Sequence, residues 1–362
     1  FNVVFLGAKF GQMENIMTNP LLQEWITPFE LAPFDRIRDT DFEPALEVAL
    51  KQEMDELLAI ANNPDAPTFE NTIDAMMAAG KALGQVLSVF YTLVGSDSNP
   101  KREALMREFS PKLSAHSSAI TSNKQLFARI KTLWDGKDTL TLTPEQDRVL
   151  MLCYRNAVRA GSALDGAQET RLKEIKLRLA VLGTEFTQNL LADERDWYMA
   201  LDKAAMQGLP DFLIKSARSA GKEKSIDMPI ITLSRSIVVP FLQFSPRRDL
   251  REIVQKAWAA RGANDGERDN RPLAQEMLAL RQEMSELLGY ANFAEFALET
   301  EMAKTPSNVR DLLMDVWKPA RERAMQDQEI LMEYMQKEGL NGALQPWDWR
   351  YYAEQRRQAE HD

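Results

Sequence analysis

From about residue 40 onward, the apolar residues of this chain recur every three to four positions, which is the spacing of one face of an α-helix. One such stripe consists of Phe42, Leu46, Leu50, Leu57 and Ala61. A longer seam runs through residues 168–191, with lysine and glutamate on the opposite face. Long helices that bury a stripe along their length favour antiparallel hairpins. The sequence therefore predicts an all-α, or mainly α, fold: a multi-helical array of antiparallel hairpins.

Capping residues mark the ends of the predicted helices. A side-chain oxygen precedes a proline, the favoured arrangement for a helix start, at Asn99-Pro100, Thr143-Pro144, Ser245-Pro246 and Thr305-Pro306. Gln146 follows Thr143 by three positions and completes a capping box. Glycines predict helix ends at Gly161, Gly262, Gly289 and Gly339. Pro319 lies inside a long helical pattern and predicts a kink or break near Lys318.

A short region in the second half of the chain has a different pattern. The segments 197–201, 229–233 and 237–240 are β-branched or aromatic and are separated by turn residues, so they predict a small strand insertion. Pro240 favours an edge position for the last of them. We therefore divide the chain into a leader at 1–16, an N-terminal helical region at 17–195, a strand-containing insertion at 196–245 and a second helical region at 246–362.

Charge and cysteine content restrict the partners and the compartment. The 362 residues include 54 acidic and 44 basic side chains, and the resulting net charge of −10 disfavours nucleic acids and anionic membranes. The single cysteine cannot form an internal disulfide. Residues 1–10 lack the features of a signal peptide, and no uninterrupted apolar run reaches the ~20 residues of a membrane span. These features predict a soluble, cytoplasmic protein with no nucleic-acid or membrane partner.

The sequence contains no assembled zinc site. A catalytic zinc needs three protein ligands, and the only histidines are His116 and His361. Neither belongs to an H-E-x-x-H motif. His116 lies among apolar residues at helical spacing, which is typical of a partly buried histidine with a local hydrogen-bond partner. His361 is next to the last residue, where helices fray, and Cys153 on an apolar helix face is interpreted as a packed thiol.

Other polar clusters also favour structural roles. Residues 264–269 (NDGERD) superficially resemble a calcium loop but lack its alternating aspartates, so we interpret them as a solvated connection. Carboxylate pairs such as Glu299 with Glu301 are expected by chance among 54 acids. The aromatic run at 347–352 (WDWRYY) could line a substrate groove or pack in the core, and core packing is the favoured interpretation. Phosphate-loop, dinucleotide and serine-hydrolase motifs are absent from the sequence.

Ten short segments, in order along the chain, match one known family. They are NPLLQEW (19–25), PFDR (33–36), PTFENT (67–72), RNAVRAG (155–161), FTQN (186–189), SPRRDLR (245–251), AWAAR (257–261), LLGYANF (287–293), AKTP (303–306) and PWDWRYY (346–352). On these segments the sequence resembles the thimet oligopeptidase and oligopeptidase A family of zinc metallopeptidases, and within it the bacterial peptidyl-dipeptidase branch. Residues 1–16 do not match.

The resemblance implies one wall of a zincin-like oligopeptidase, split by a deep channel that admits flexible peptides. Family members are about twice as long, and their H-E-x-x-H helix, zinc ligands and substrate-gripping residues belong to the half that is absent here. The resemblance therefore transfers no catalytic, cofactor-binding or metal-binding residue to this chain. It implies that zinc serves the full-length enzyme, which would release C-terminal dipeptides from short peptides, and that the chain alone is inactive and truncated at Asp362.

Two functional hypotheses follow from these observations. In the first, the chain is the N-terminal portion of a zinc metallopeptidase and forms the wall of its channel. In the second, it is a truncated, non-catalytic peptide-binding or regulatory protein, which could associate with a separate catalytic half. A scaffold unrelated to peptidases would require all ten ordered matches to be coincidental.

Overall fold

The computed structural model describes residues 18–361 and divides the chain into two compact units, one up to Glu169 and the other from Thr170. Both units consist mainly of helices, with a single small two-stranded sheet in the second among the described residues. The predicted mainly α fold is therefore confirmed. The leader at 1–16 lies outside the described residues, and the predicted domain boundaries stay predictions.

Most of the first unit consists of helices joined by short connections. They are α1 (Asp39–Ala61), α2 (Ala75–Ala78), α3 (Lys81–Ser96), α4 (Pro100–Thr121), α5 (Lys124–Asp135) and α6 (Pro144–Ala160), with a π-helical segment at Phe69–Asp74 and 3-10 turns at Pro28–Glu30 and Lys137–Thr139. The stripe predicted for α1 is buried at Phe42 and Leu46, and Phe42 packs against Phe90 of α3 with ring centroids 5.2 Å apart. A second hydrophobic core of this unit includes Ile73, Ile130 and Leu150.

One stretch, Phe69–Ser96, is by length and mean hydropathy apolar enough to cross a membrane. The sequence analysis predicts no membrane span because no apolar run is long enough. This stretch qualifies because its hydropathy is averaged over a window that includes polar residues. The stretch is not one helix: Gly80, with a φ of 73°, separates α2 from α3. Leu83, Val86 and Phe90 bury one side of α3 in the core. A core helix of a globular unit gives this same hydropathy pattern, so the stretch is weak evidence for a membrane span.

The second unit combines long helices with the small sheet. Its elements are α7 (Gly166–Asp196, which begins just before the boundary), β1 (Tyr198–Ala200), α8 (Asp211–Glu223), β2 (Ile230–Thr232), α9 (Arg235–Phe244), α10 (Arg248–Ala259), α11 (Asn270–Leu287), α12 (Phe293–Leu298), α13 (Pro306–Lys337) and α14 (Pro346–His361). The strands pair antiparallel, with Tyr198 opposite Thr232 and Ala200 opposite Ile230.

Arginine–glutamate pairs show the antiparallel packing of α7 against α11. Arg171 pairs with Glu283 and Arg178 with Glu276, each with Nε to Oε1 at 2.6 Å and a second bond from Nη2 to Oε2 at 2.8 Å. As the position along α7 rises, its partner position on α11 falls, so the two helices run in opposite directions. Both pairs lie on exposed faces, where bidentate geometry fixes the register more than it adds stability.

Three of the four predicted cap-proline starts are confirmed. Asn99 accepts hydrogen bonds from the N–H groups of its helix, Thr143 forms the capping box with Gln146, and Thr305 caps α13. The prediction at Ser245 is wrong, because α10 begins at Arg248 and the N–H of Ser245 instead bonds to the Phe241 carbonyl at the end of α9. The predicted glycine ends are confirmed, with positive φ at Gly161, Gly262, Gly289 and Gly339.

The structure corrects two further predictions. Residues 237–240 were expected to be a strand, but they lie within α9, where Ile237, Val238 and Phe241 are buried against β2 and α14. Burial on both sides of this segment outweighs the β propensity of its branched residues. Of the kink or break predicted near Lys318, the break is wrong, because α13 continues from Pro306 to Lys337 with Pro319 inside it. The kink stays a prediction. The residues around Pro319 are exposed, so water can satisfy the carbonyl that loses its partner.

Candidate functional site

The histidines do not converge on a metal. His116 of α4 is mostly buried, and its Nε2 lies 2.6 Å from Oε2 of Glu53 on α1. The interpretation of His116 as a partly buried histidine with a hydrogen-bond partner is confirmed, although that partner is 63 positions away and not local. His361, in the last turn of α14, is exposed beside Arg323, Asp327 and Arg356 around a pocket of about 350 Å³.

Within residues 18–361, no three histidine, cysteine, aspartate or glutamate side chains are grouped so that they could hold a metal ion. The carboxylate nearest to His116 already occupies its Nε2 nitrogen. The described residues therefore do not fit the catalytic zinc that the family resemblance implies, since such a site needs three convergent ligands and an open position for water.

Cys153 lies on α6 as a packed thiol, as the sequence predicts. It contacts the core around Ile130 and Leu150 and lines an apolar cavity of about 190 Å³ together with Leu126 and Phe127. Burial raises the pKa of this thiol, because the thiolate would lose hydration without gaining a cationic partner. A thiol that stays protonated at neutral pH is a poor nucleophile.

The most organised polar cluster joins two helices of the second unit. Asp348, at the start of α14, has no solvent exposure, and Arg251 of α10 is 1% exposed. Arg251 Nη2 donates to Asp348 Oδ1 at 3.1 Å, and Arg248 binds the same carboxylate through Nε at 2.9 Å and Nη2 at 2.7 Å. The other two nitrogens of Arg251 also donate, Nε to the Trp347 carbonyl and Nη1 to the Ser245 carbonyl. Arg251 and Asp348 are buried and Arg248 is 39% exposed at the edge of the cluster. The three side chains are defined here as the arginine–aspartate clamp.

The environment of the clamp fixes the charge of Asp348. Burial by itself would raise the pKa of the carboxyl, but hydrogen bonds from Arg248, from the Gln345 N–H and from Arg251 outweigh it, and the pKa lies below its usual range. At neutral pH one carboxylate thus neutralises part of the charge of two guanidinium groups. The clamp contains no nucleophile and no base of raised pKa. Its role is therefore to hold α10 and α14 in position.

Two tyrosines extend the clamp to the end of α13. The Arg251 guanidinium stacks 4.1 Å from the ring centre of Tyr351, and the hydroxyl of Tyr352 donates to Glu338 Oε2 at 3.0 Å. Burial, followed by the Glu338 hydrogen bond, raises the pKa of Tyr352, so the phenol stays neutral. Core packing of the run 347–352 is thus observed at both tyrosines, whereas Trp349 is partly exposed and lines the 350 Å³ pocket.

The remaining candidate clusters serve as local structure. In the loop at 264–269, Asp269 caps α11, and Arg271 binds both Asp265 and Asp269. This pairing agrees with a solvated connection. Glu299 accepts a hydrogen bond from the Tyr290 hydroxyl at 2.7 Å, whereas Glu301 is exposed.

Sequence reasoning overlooked Arg248 and Arg251 as members of a site. Their spacing of three places them on one face of a helix, and Asp348 was visible in the aromatic run. Arg248 and Asp348 are 100 positions apart, so no local sequence pattern indicates that they pair.

Comparison with known proteins places these residues in a peptidase context. Residues 241–362, which contain the whole clamp and both tyrosines, match Peptidase family M3. A dipeptidyl carboxypeptidase of Salmonella typhimurium is 32% identical over 340 residues, which cover 93% of this chain and 50% of the relative. The chain is thus similar to the M3 family over residues 241–362 and to a dipeptidyl carboxypeptidase over most of its length. This finding confirms the resemblance seen in the ten ordered segments.

Other M3 relatives give the same coverage. A dipeptidyl carboxypeptidase of Escherichia coli is 30% identical over 346 residues, covering 95% of this chain and 51% of the relative. Oligopeptidase A of the same organism is 30% identical over 347 residues, covering 94% of this chain and 50% of the relative. The chain spans about half the length of the curated M3 relatives it matches.

Proposed function

We propose that this chain is the non-catalytic portion of a zinc metallopeptidase that releases C-terminal dipeptides from short peptides. The observation that carries the proposal is the match of 93% of the chain to half of a dipeptidyl carboxypeptidase. The sequence itself, with two histidines and no H-E-x-x-H motif, points the same way. The zinc ion and the residues that activate water are then supplied by polypeptide outside this chain.

In this proposal the described helices form one wall of the peptide channel. The wall must hold its shape while peptides enter and leave, because a small misplacement of a positioning surface lowers the rate of catalysis strongly. The arginine–aspartate clamp supports such rigidity, since its hydrogen bonds tie α10 to the buried Asp348 carboxylate of α14. The wall restricts entry to flexible peptides in a cytoplasmic enzyme that acts neither on membranes nor on nucleic acids.

A complementation assay tests this function. The purified chain should not cleave a blocked fluorogenic peptide. When it is co-expressed with the half of the Salmonella relative that it does not match, the complex should release a C-terminal dipeptide, and a chelator should abolish the release. Chelator-sensitive hydrolysis by the purified chain alone would contradict the proposal.

A peptide-binding protein without catalysis is the alternative, and a groove in the first unit favours it. The groove has a volume of about 840 Å³, and its lining includes Trp25, Gln52, Lys81 and Gln85. The Trp25 ring and the Lys81 ammonium group suit an apolar side chain and the terminal carboxylate of a short peptide. The amide nitrogens of Gln52 and Gln85 donate within the chain. Titration with a peptide and with its C-terminal amide tests this role: a Kd below millimolar that rises for the amide, and for Lys81→Gln, supports it.

A further inference from the structure

Helix α13 carries two groups of apolar residues on one face, separated by Asp327. At 100° per residue, Val309, Leu313, Val316, Trp317, Ala320, Ala324, Leu331 and Met335 lie within about 60° of a common line along its surface. The opposite side carries Asp311, Asp315 and Glu322. Such an arrangement is typical of a helix that packs along its whole length and not of one that projects into water.

Helix α14 covers the C-terminal part of this face, and α13 also contacts α12. Leu331 and Met335 are each 2% exposed and pack with Tyr351 and Tyr352 of α14. The ion pair between Arg356 of α14 and Asp327 of α13, at 3.1 Å, shows how far along α13 this cover extends.

The middle part of the same face is open, whereas Val309 nearer the helix start is half-buried. Leu313, Val316 and Trp317 are 61%, 56% and 59% exposed, and every residue from 311 to 326 is exposed. At 1.5 Å per residue this is about 24 Å of uncovered helix. We define Leu313, Val316, Trp317 and Ala320 as the open stripe. The stripe itself runs from Leu313 to Ala320, a length of about 11 Å along the helix. Scattered apolar residues are common on protein surfaces, but a contiguous exposed stripe marks an interaction surface.

We propose that the open stripe docks an amphipathic helix from the half of an M3 peptidase that this chain does not match. This proposal rests on the proposed function, which places the catalytic residues in that half. The docked helix lies in line with α14, because the stripe is on the face that α14 already covers farther along α13. From Asp327 to Leu313 the distance is 14 positions or about 21 Å, so the docked helix needs about four turns.

The rim of the surface fits such a partner. Arg323 on α13 and Glu360 on α14 are exposed at the boundary between the covered and the open parts of the face. An apolar centre with a charged rim is the usual anatomy of a specific protein interface. Trp317 supplies the large aromatic anchor on which binding energy tends to concentrate.

The test compares two neighbouring exposed residues. Leu313→Glu places a charge on the open stripe, whereas Met314→Glu places the same charge 100° away, on a side chain that is 58% exposed. The tagged 362-residue chain and its two variants are each co-expressed with the unmatched half of the Salmonella dipeptidyl carboxypeptidase. Wild type and Met314→Glu should retain the partner, and Leu313→Glu should retain about tenfold less or lose it.

Several results would overturn the proposal. Equal retention by all three chains, or by none, shows that the stripe does not hold this partner. A dimer of the wild-type chain that Leu313→Glu dissolves, seen by light scattering, assigns the stripe to a second copy instead. A lower unfolding midpoint of the isolated chain in Leu313→Glu, but not in Met314→Glu, shows that the stripe is already covered within the chain.

Peptide hydrolysis by the co-purified complexes separates this inference from the proposed function. If a complex forms and Leu313→Glu disrupts it, the docking surface is supported. If that complex hydrolyses no peptide, the peptidase role is contradicted. If the complex shows chelator-sensitive hydrolysis, the peptidase role is supported. If Leu313→Glu leaves that complex intact, the docking surface is contradicted.

Discussion

Arg251 and Asp348 form an ion pair with both partners buried, although 97 positions separate them in the chain. The pair joins α10 to the first turn of α14, and Arg248 binds the same carboxylate from the edge of the cluster. A buried ion pair is poor evidence of net stabilisation, because desolvation offsets much of the attraction. Its loss, however, leaves guanidinium charge without compensation, which makes the clamp testable.

Asp348→Asn should lower the free energy of unfolding by about 3–5 kcal/mol, because Arg251 then keeps a buried charge with no counterion. Urea unfolding followed by tryptophan fluorescence measures this loss. The matched control is Asp315→Asn on the exposed side of α13, which should change the stability by no more than about 0.5 kcal/mol. Equal effects of the two substitutions would contradict a structural role for the clamp.

The same carboxylate predicts a dependence on acid. The pKa of Asp348 is lowered in the folded protein, so its contribution is complete above the unfolded value of about 3.9 and is lost as the pH falls through the lower folded value. The stability difference between wild type and Asp348→Asn should therefore be constant from pH 7 to about pH 5 and shrink in more acidic solution. A difference that grows on acidification would show that the carboxyl is stabilised in its protonated form.

Gly221→Ala should destabilise the second unit by about 1–3 kcal/mol, since a Cβ at this position in α8 would lie 2.1 Å from the Met228 carbonyl oxygen. Gly183→Ala in α7 is the control. No atom lies within 4 Å of its added Cβ, so the better helix propensity of alanine should stabilise the protein by up to about 1 kcal/mol. Thermal unfolding of the two variants should give shifts of opposite sign, and a common sign would refute the packing at Gly221.

Cys153 should react slowly with a thiol reagent in the folded chain. Burial raises the pKa of the thiol, so the thiolate fraction at pH 8 is smaller than in the unfolded chain, and access is restricted as well. We expect labelling at pH 8 to be about tenfold slower in buffer than in urea. Equal rates would mean that the thiol is exposed and reactive and would reopen the case for a functional cysteine.

His116→Ala should lower the free energy of unfolding by about 1–3 kcal/mol, because it removes the 2.6 Å partner of the half-buried Glu53 carboxylate. The loss should be the same with and without a chelator, since His116 is engaged with Glu53 and not with metal ligands. Titration of the wild-type chain with zinc should leave its melting temperature unchanged. A rise in melting temperature that depends on both zinc and His116 would reveal a metal site.

Local patterns in the sequence were sufficient for much of the fold. The caps at Asn99, Thr143 and Thr305 and the left-handed glycine at Gly161 act within a few residues, so their chemistry is readable in order along the chain. Ser245 shows the limit of this reasoning. Ser245 has the same cap-proline pattern, yet it is the C-cap of the preceding helix α9, because its N–H bonds to the Phe241 carbonyl.

The sequence by itself determined the helical periodicity, the helix ends and, through its two histidines, the lack of a zinc-binding motif. Only the tertiary structure decided that residues 237–240 join a helix, that Glu53 is the partner of His116 and that Arg251 meets Asp348. The first group depends on dihedral preferences and hydrogen bonds between near neighbours. The second depends on which surfaces are removed from water together, and that burial involves residues 63 to 100 positions apart.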